Sequence, residues 1–405
     1  MQVIVDRAVV GAIIARLSAR DRRLGEDARA AVEWLTGFDE DELPAVFSRR
    51  ELQLFLWYQL PKKWLIRTAE QQAVAEALAS FFAEVGVEAT PLAALCRSPE
   101  TAALIRSRGK NLAAALERSG LEPPDTPLLT WSELMSIEEA LEHDLVASLL
   151  EDTLDTGQLV PGAKGWRQRQ TELVEGYLSR PDESGTAPLA RIHASRREAW
   201  LEMPGRDAAE RDLLEHALAT TNSDPPSRAE SAEAIEPLLW LLEQLAAGVK
   251  LTQTGALPRT LVRATVERYP DWWNSSVGPP YQEAELYQLC VLHDLIDALK
   301  LARRQRVTLH LTPKGRALRA DPQHLLREVA STLAPELPAE LDLPLAQLVI
   351  DDQPDEIDWS LHGLLTPFHG ITVENHTPTA VTRGGRTFAA AILNARAHGP
   401  RNTLS

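Results

Sequence analysis

The segment LTPKGRAL, Leu311 to Leu318, decides how the second half of the chain is interpreted, because two similar segments occur elsewhere. LTQTGAL begins at Leu251 and VTRGGRTF begins at Val381. Each copy contains an apolar residue, a threonine, two variable residues and a glycine, in that order. Threonine is a good helix N-cap and proline fits the first helical position, so Thr312-Pro313 predicts the start of a helix.

The residues before Thr312 predict a β-hairpin. Val307 to Leu311 alternates between apolar and polar residues, which is typical of a half-buried strand. A polar tip, Arg303 to Arg306, separates this strand from an earlier short apolar run. Two helices are predicted upstream, from Pro258 and from Glu283, and VKLT at Val249 predicts a short strand that leads into the unit.

Helix, helix, hairpin and a TPxGR helix start resembles the winged-helix domains of bacterial regulators. In that family the second strand of the wing commonly runs into an LTxxG-type helix start. The resemblance covers roughly residues 249–320 and extends to bacterial winged-helix proteins of uncharacterised function. It implies that the hairpin is the wing and that the helix from Glu283 is the one that would enter the major groove of DNA.

The C-terminal stretch repeats this order. Leu361 to Leu365 parallels Leu292 to Ile296, and each precedes the glycine of its repeat by nearly the same distance. Gly370 to Glu374 alternates like a strand, and VTRGGR again precedes a helical segment. The sequence therefore predicts a second, diverged winged-helix-like unit. The copy at Leu251 is interpreted as the strand that leads into the first unit.

The N-terminal half reads as nearly all helix, so the predicted fold class is mainly α. Thr68 to Gly86 is the clearest helix, with an apolar stripe at helical spacing. In LQLFLWYQLPKKW, Leu52 to Trp64, Pro61 is predicted to end the preceding helix. The polar, proline-bearing stretch Thr221 to Arg228 predicts a linker. The predicted domains are 1–220, with possible subdomains divided near 156–188, a linker at 221–228, and units at 229–330 and 335–401.

The charge balance restricts the partners of the chain. It has 42 basic and 58 acidic residues and a net charge of −16, and such a surface repels nucleic acid unless a local basic patch exists. Ala298 to Ala320 contains basic residues and no acidic residue. Arginines on a wing beside a helix N-terminus suit phosphate contacts. The predicted DNA-contacting residues are Lys300, Arg303, Arg304, Arg306, Lys314, Arg316 and Arg319.

Other charges favour a different function. The predicted reading helix and its start carry the carboxylates Glu283, Glu285, Asp294 and Asp297, which repel DNA unless they face away. Between Ile350 and Thr382 there is no lysine or arginine, and the acids are Asp351, Asp352, Asp355, Glu356, Asp358 and Glu374. Such a unit favours a protein partner. Two functions therefore stay open: a DNA-associated regulator that binds through the basic wing, and an adaptor that uses its winged-helix units as docking surfaces.

Nothing in the sequence predicts an enzyme. The phosphate loop GxxxxGK[ST] and the motifs GxSxG, HExxH and CxxC do not occur. The His-Asp pairs 143–144 and 293–294 lie on predicted helices, and His362, His369 and His376 lack a supporting ligand pattern. No catalytic residue, metal or cofactor is therefore predicted. Two distant cysteines favour a reducing cytoplasm, and without an apolar run of membrane-spanning length no membrane partner is expected.

Two further basic runs lie in the N-terminal half. Basic residues flank the aromatic stretch from Phe55 to Trp64, an arrangement that suits single-stranded nucleic acid through stacking and phosphate contacts. Core packing of the aromatic residues is the simpler explanation. The second run is interpreted as an ordinary charged turn. The first run comprises Arg49, Arg50, Lys62, Lys63 and Arg67, and the second comprises Arg106, Arg108 and Lys110.

Overall fold

A computed structural model describes residues 3–37, 44–223, 225–273, 278–351, 361–374 and 377–400. Helices dominate, and the described strands form three small antiparallel sheets. The prediction of a mainly α fold with short β-hairpins is therefore confirmed. Residue contacts divide the chain into two compact units, unit 1 from Met1 to Ile192 and unit 2 from His193 to Ser405.

Unit 1 combines helices with one two-stranded sheet. Its elements are β1 (Val3–Val5), α1 (Arg7–Arg20), α2 (Arg22–Thr36), β2 (Ala45–Phe47), α3 (Arg49–Leu54), α4 (Leu60–Lys63), α5 (Thr68–Val85), α6 (Thr90–Cys96), α7 (Pro99–Arg106), α8 (Leu112–Ser119), α9 (Ile137–Asp155) and α10 (Trp166–Ser179), and α11 (Pro188–Leu201) crosses into unit 2. The sequence did not predict β1 and β2, because strands of three residues are too short to show periodicity.

The core of unit 1 forms around α5. Val74, Leu78, Phe81 and Phe82 are buried at helical spacing, as the sequence predicts. Phe47 of β2 makes edge-to-face contacts with both phenylalanines, which pins the small sheet against α5.

Pro61 does not end a helix, so that prediction was wrong. A π-helical turn, Phe55–Gln59, joins α3 to α4, and the Leu60 N–H donates to the Phe55 carbonyl. Pro61 follows in the first turn of α4, where its missing N–H costs little. The helical path therefore continues through Pro61 to Lys63, and the two lysines of this segment extend from α4.

Unit 2 contains helices and two hairpins. Its elements are α12 (Ala208–Ser223), α13 (Arg228–Ala234), α14 (Glu236–Gln244), β3 (Val249–Lys250), α15 (Arg259–Arg268), α16 (Tyr287–Ala298), β4 (Ala302–Gln305), β5 (Thr308–Leu311), α17 (Pro313–Arg319), α18 (Pro322–Leu333), α19 (Asp342–Ile350), α20 (His362–Leu365), β6 (Ile371–Glu374), β7 (Thr377–Val381) and α21 (Arg383–His398). The first sheet has the order β3-β5-β4, and β6 pairs with β7.

The division between the units differs from the predicted linker at 221–228. Thr221 to Ser223 form the end of α12, Ser227 caps α13, and Arg228 begins α13. Leu214, Ala217 and Leu218 of α12 lie in the main core of unit 2, so α12 belongs with the residues that follow it. The same core includes side chains from both predicted units, 229–330 and 335–401, because each half buries its apolar faces against the other.

A buried ion network joins three segments of unit 2. Asp342 at the start of α19 is 1% exposed and accepts hydrogen bonds from Arg206 and Arg396. Arg396 of α21 also donates to the carbonyls of Ala334 and Leu337 at 2.7 Å. The carboxylate therefore ties the residues before α12 and those after α18 to the C-terminal helix.

Candidate nucleic-acid interface

The sequence repeat corresponds to a structural repeat at two of its three positions. The Thr312 hydroxyl accepts a hydrogen bond from the Gly315 N–H at 3.0 Å, and the Thr382 hydroxyl accepts one from the Gly385 N–H at 2.9 Å. Each threonine N–H donates 2.9 Å back across its hairpin, to the carbonyl of Leu301 or of Gly370. The threonine therefore caps a helix and closes the base of the preceding hairpin.

The glycine of the repeat is required by a close backbone approach. A Cβ atom at Gly315 would lie 2.0 Å from the Leu301 carbonyl oxygen, and one at Gly385 would lie 2.0 Å from the Gly370 carbonyl oxygen. The copy at Leu251 serves another purpose. Gly255 lies in a turn with φ of +92°, directly after β3, so this copy is not a third capped helix.

The first hairpin, which we call the wing, comprises β4, β5 and the turn between them. Arg303 lies opposite His310, and Arg304 lies opposite Leu309. Arg306 occupies the turn with a left-handed φ of 58°, a conformation that glycine or asparagine adopts with less strain. The wing therefore presents three arginines, and one of them holds a backbone position that its residue type does not favour.

The structure separates the seven predicted DNA contacts into two groups. Lys300 and the three wing arginines are exposed, and no carboxylate lies within 4 Å of them in the part of the chain that the structure describes. Within the wing, Arg304 Nε also donates to the Arg306 carbonyl at 2.8 Å, and its side chain stays exposed. The remaining three residues contact other parts of unit 2. Lys314 forms an ion pair with Glu328 at 2.7 Å, Arg319 pairs with Glu243, and the Arg316 guanidinium donates to the Leu311 carbonyl at 2.9 Å.

Helix α16 does not present a basic surface. Asp294 and Asp297 are exposed on this helix, so both carboxylates would meet a DNA molecule that approached its exposed face. Glu283 precedes the helix and is buried, and Glu285 accepts a hydrogen bond from the Tyr281 N–H. The exposed face of α16 would therefore repel the phosphates that line a DNA groove.

Buried Glu283 links α16 to the loop before α15. Its carboxylate accepts from the Leu257 N–H and contacts His293 Nδ1, both at 2.6 Å. The hydrogen bond to Glu283 raises the pKa of His293 above its ordinary value. Cys290 lies one turn earlier on α16, but burial and the Glu283 charge raise the pKa of its thiol, so the cluster does not activate this cysteine as a nucleophile.

This cluster predicts a stability that depends on pH. Folding raises the pKa of His293. The contribution of this histidine to the free energy of unfolding is therefore complete below its unfolded pKa of about 6.5, and it is lost as pH rises through the higher folded pKa. We expect His293→Gln to flatten the decline in stability above about pH 6.5. Urea unfolding at several pH values measures this effect, and an unchanged slope in the variant would contradict the assignment.

The second hairpin lies beside a polar cleft of about 380 Å³. Glu236 accepts hydrogen bonds there from the Tyr269 hydroxyl at 2.7 Å and from Arg268 at 2.8 Å, so these groups satisfy one another. Glu233, His369 and Thr382 complete the lining. Of the six acids predicted to form a protein-binding surface, only Asp351 has a described side chain, so that prediction falls mostly outside the described residues.

The other candidate ligands do not converge. His143 lies buried near Glu122 and Arg50 on a helix face, and His376 lies outside the described residues. Among the described ranges there is no group of three or more His, Cys, Asp or Glu side chains placed to hold a metal ion. None of the described helices has the length and apolar character needed to cross a membrane.

Comparison with known proteins identifies one similar domain. Residues 237–324 match the family model described as the Y4jL N-terminal domain. The match begins in α14 and ends in α18, so it includes the whole wing together with α16. No curated protein and no solved structure matched the chain. The similarity thus covers the predicted DNA-contacting segment, and its description names a domain and no activity.

Proposed function

We propose that this chain is a DNA-associated regulatory protein that contacts the phosphate backbone through its wing. The supporting observation is the exposure of Lys300, Arg303, Arg304 and Arg306 without a carboxylate partner among the described residues. Arginine donates charge-assisted hydrogen bonds to phosphate oxygens, and such contacts position a protein on DNA. The proposed mechanism is binding, without a catalytic residue or a cofactor.

The absence of carboxylate partners at the wing, among the described residues, contrasts with its surroundings. The next basic residues along the chain, Lys314 and Arg319, both pair with glutamates, as expected in a protein with an acidic surplus. Uncompensated cations that lie close together repel one another, so their clustering is unfavourable for folding alone. An anionic partner would relieve this repulsion.

Protection of a sheet edge explains only some of the uncompensated basic residues at the wing. β4 is an edge strand, and charged residues on edge strands prevent pairing with other chains. Lys300 and Arg306 lie outside β4 and add nothing to that protection. Arg306 also keeps a strained left-handed backbone. A requirement for positive charge along the hairpin, from Lys300 at its base to Arg306 at its tip, accounts for both residues.

The acidic face of α16 determines the proposed mode of binding. With Asp294 and Asp297 exposed, α16 is unsuited to read base edges in the major groove. Binding through the wing alone would contact phosphates and would discriminate weakly between sequences.

The proposed location is the cytoplasm, where DNA is accessible to the protein in bacteria. Cys96 and Cys290 are both free thiols, and free thiols are typical of proteins in a reducing compartment.

A mobility-shift titration with mixed duplex fragments tests this proposal. We expect Arg303→Glu, Arg304→Glu and Arg306→Glu together to abolish the shift. In the wild type, the logarithm of the binding constant should fall with the logarithm of salt concentration with a slope of about −3.6, since each of the four cations neutralises one phosphate and contributes about −0.9.

The matched control changes Arg29, Lys164 and Arg180 to glutamate. These exposed side chains of unit 1 have no carboxylate within 4 Å in the described ranges, and the net charge changes equally. Retention of binding in this control and loss in the wing variant supports the proposal. Equal loss in both would mean that net charge alone controls binding, and no wild-type binding at low salt would refute it.

The alternative function is an adaptor that docks a protein through unit 2. The exposed carboxylates of α16, beside Tyr287 with 59% exposure, favour a basic protein partner on that face. The acidic residues from Asp351 to Asp358 add to the negative charge that would attract such a partner. If duplex binding fails at low salt, charge reversal of Asp294 and Asp297 in a pull-down of basic partners becomes the discriminating experiment.

A further inference from the structure

The structure brings together two basic runs of unit 1 that lie far apart in the sequence. Gly109 lies against α4, and a methyl group added there would be 3.4 Å from Cε of Lys62 and 3.1 Å from the Trp57 carbonyl oxygen. The turn after α7 therefore places its basic residues beside the two lysines of α4. We call this surface the α4–α7 patch; it comprises Lys62, Lys63, Arg106, Arg108 and Lys110.

The patch is distinguished from isolated cations of unit 1, such as Arg29 and Lys164, because five uncompensated charges lie on two adjoining segments. All five side chains are exposed, and within the described part of the chain no carboxylate lies within 4 Å of any of them. Neighbouring cations are paired: Arg67 with Glu70, Arg97 with Glu76, and Arg50 with Asp144. Five cations from two segments thus form a positive surface on a protein with a net charge of −16.

The backbone holds the patch in a fixed shape. Arg108 has a left-handed φ of 53° and Gly109 a φ of 68°, and the Gly109 N–H donates to the Leu104 carbonyl at 2.8 Å. The Ser107 hydroxyl donates to the same carbonyl at 3.2 Å. A tight turn of this kind presents its basic residues with little remaining backbone freedom, which lowers the entropy cost of binding.

Exposed aromatic rings adjoin these charges. Tyr58 is 41% exposed, and the Lys63 ammonium lies 5.7 Å from its ring centroid. Trp34 is 38% exposed, and its indole N–H donates to Gln59, the next residue after Tyr58. Rings that alternate with cations match a chain in which flat bases alternate with phosphates.

We infer that the α4–α7 patch binds single-stranded nucleic acid, with Tyr58 stacking on a base and the five cations contacting phosphates. This site lies wholly within unit 1 and does not depend on the wing. The sequence contains both basic runs, but only the packing of α4 against the turn after α7 places them on one surface.

The test uses the full-length chain that carries the three wing substitutions, so that any duplex binding by the wing is removed. Anisotropy of a labelled mixed-sequence oligonucleotide of about 20 nucleotides, longer than a typical single binding site, reports binding at low salt. We expect Lys62→Glu, Lys63→Glu and Lys110→Glu together to weaken binding at least about 10-fold. Tyr58→Ala should weaken it about 5-fold or more, the lower limit for one lost stacking contact.

The Arg29, Lys164 and Arg180 variant again serves as the control and should keep its affinity. The inference would be overturned if the chain with only the wing substitutions did not bind the oligonucleotide. It would also be overturned if the patch variant and the control lost affinity equally. Leu65 follows Lys63 closely in the sequence and is 98% exposed, so it could insert into a lipid bilayer. Binding to phosphatidylserine vesicles is therefore measured as a second arm of the experiment. Vesicle binding without oligonucleotide binding, if lost in the patch variant, would assign the surface to an anionic membrane instead. Duplex binding by the wing is measured separately, so either proposal can fail alone.

Discussion

Replacing Asp342 with alanine should lower the free energy of unfolding of unit 2 by about 3–5 kcal/mol. The Asp342 carboxylate is buried between the Arg206 and Arg396 guanidinium groups, whose side chains are each 10% exposed. Its removal would leave two like charges close together in a site with little water. The cost is therefore mainly the penalty of uncompensated buried charge, and it is much larger than the value of an exposed ion pair.

Urea unfolding followed by tryptophan fluorescence measures this loss, because Trp200 packs against Arg206 with the guanidinium carbon 4.5 Å from the ring centroid. Glu26→Ala is the control, since the Arg22–Glu26 pair is exposed to solvent and its loss should leave the unfolding curve nearly unchanged. A loss below about 1 kcal/mol for Asp342→Ala would show that solvent reaches the two arginines.

Changing Gly315 to alanine should destabilise the wing by about 3 kcal/mol, near the upper end of the usual cost of overpacking. The added methyl group would meet the Leu301 carbonyl oxygen at 2.0 Å, and this atom belongs to a backbone that the Thr312 N–H also holds. A flexible side chain could move aside, but here α17 and the base of the hairpin must separate. The wing arginines would lose their fixed position as a result.

Hydrogen exchange of peptides that cover residues 300–320 locates this effect, and thermal unfolding gives its size. Gly11→Ala is the matched control, because Gly11 lies in α1 and an added methyl group there has no neighbour within 4 Å. Alanine has the higher helix propensity, so the control should be stabilised by up to about 1 kcal/mol. Equal stability of Gly315→Ala and the wild type would show that the close approach is not maintained in solution.

The sequence by itself determined the helical fold class, the two hairpins and the capped helices that follow them. These features are local: alternation defines the strand before Thr312, and a threonine cap with proline at the next position defines the start of α17. The basic character of the wing is also a local property, because its arginines are consecutive or nearly so. The assignment of the hairpins to winged-helix units remains a prediction.

Only the tertiary structure decided which charges are compensated and which segments share a core. Lys314 and Arg319 resemble the wing arginines in sequence, yet each pairs with a glutamate from another helix. The polar stretch at 221–228 has the composition of a linker, but α12 buries its leucines with the residues beyond it. The contact of Gly109 with α4 joins residues about 50 positions apart. Such outcomes depend on long-range packing, because a local pattern specifies which face of a helix is apolar and not which neighbour will cover it.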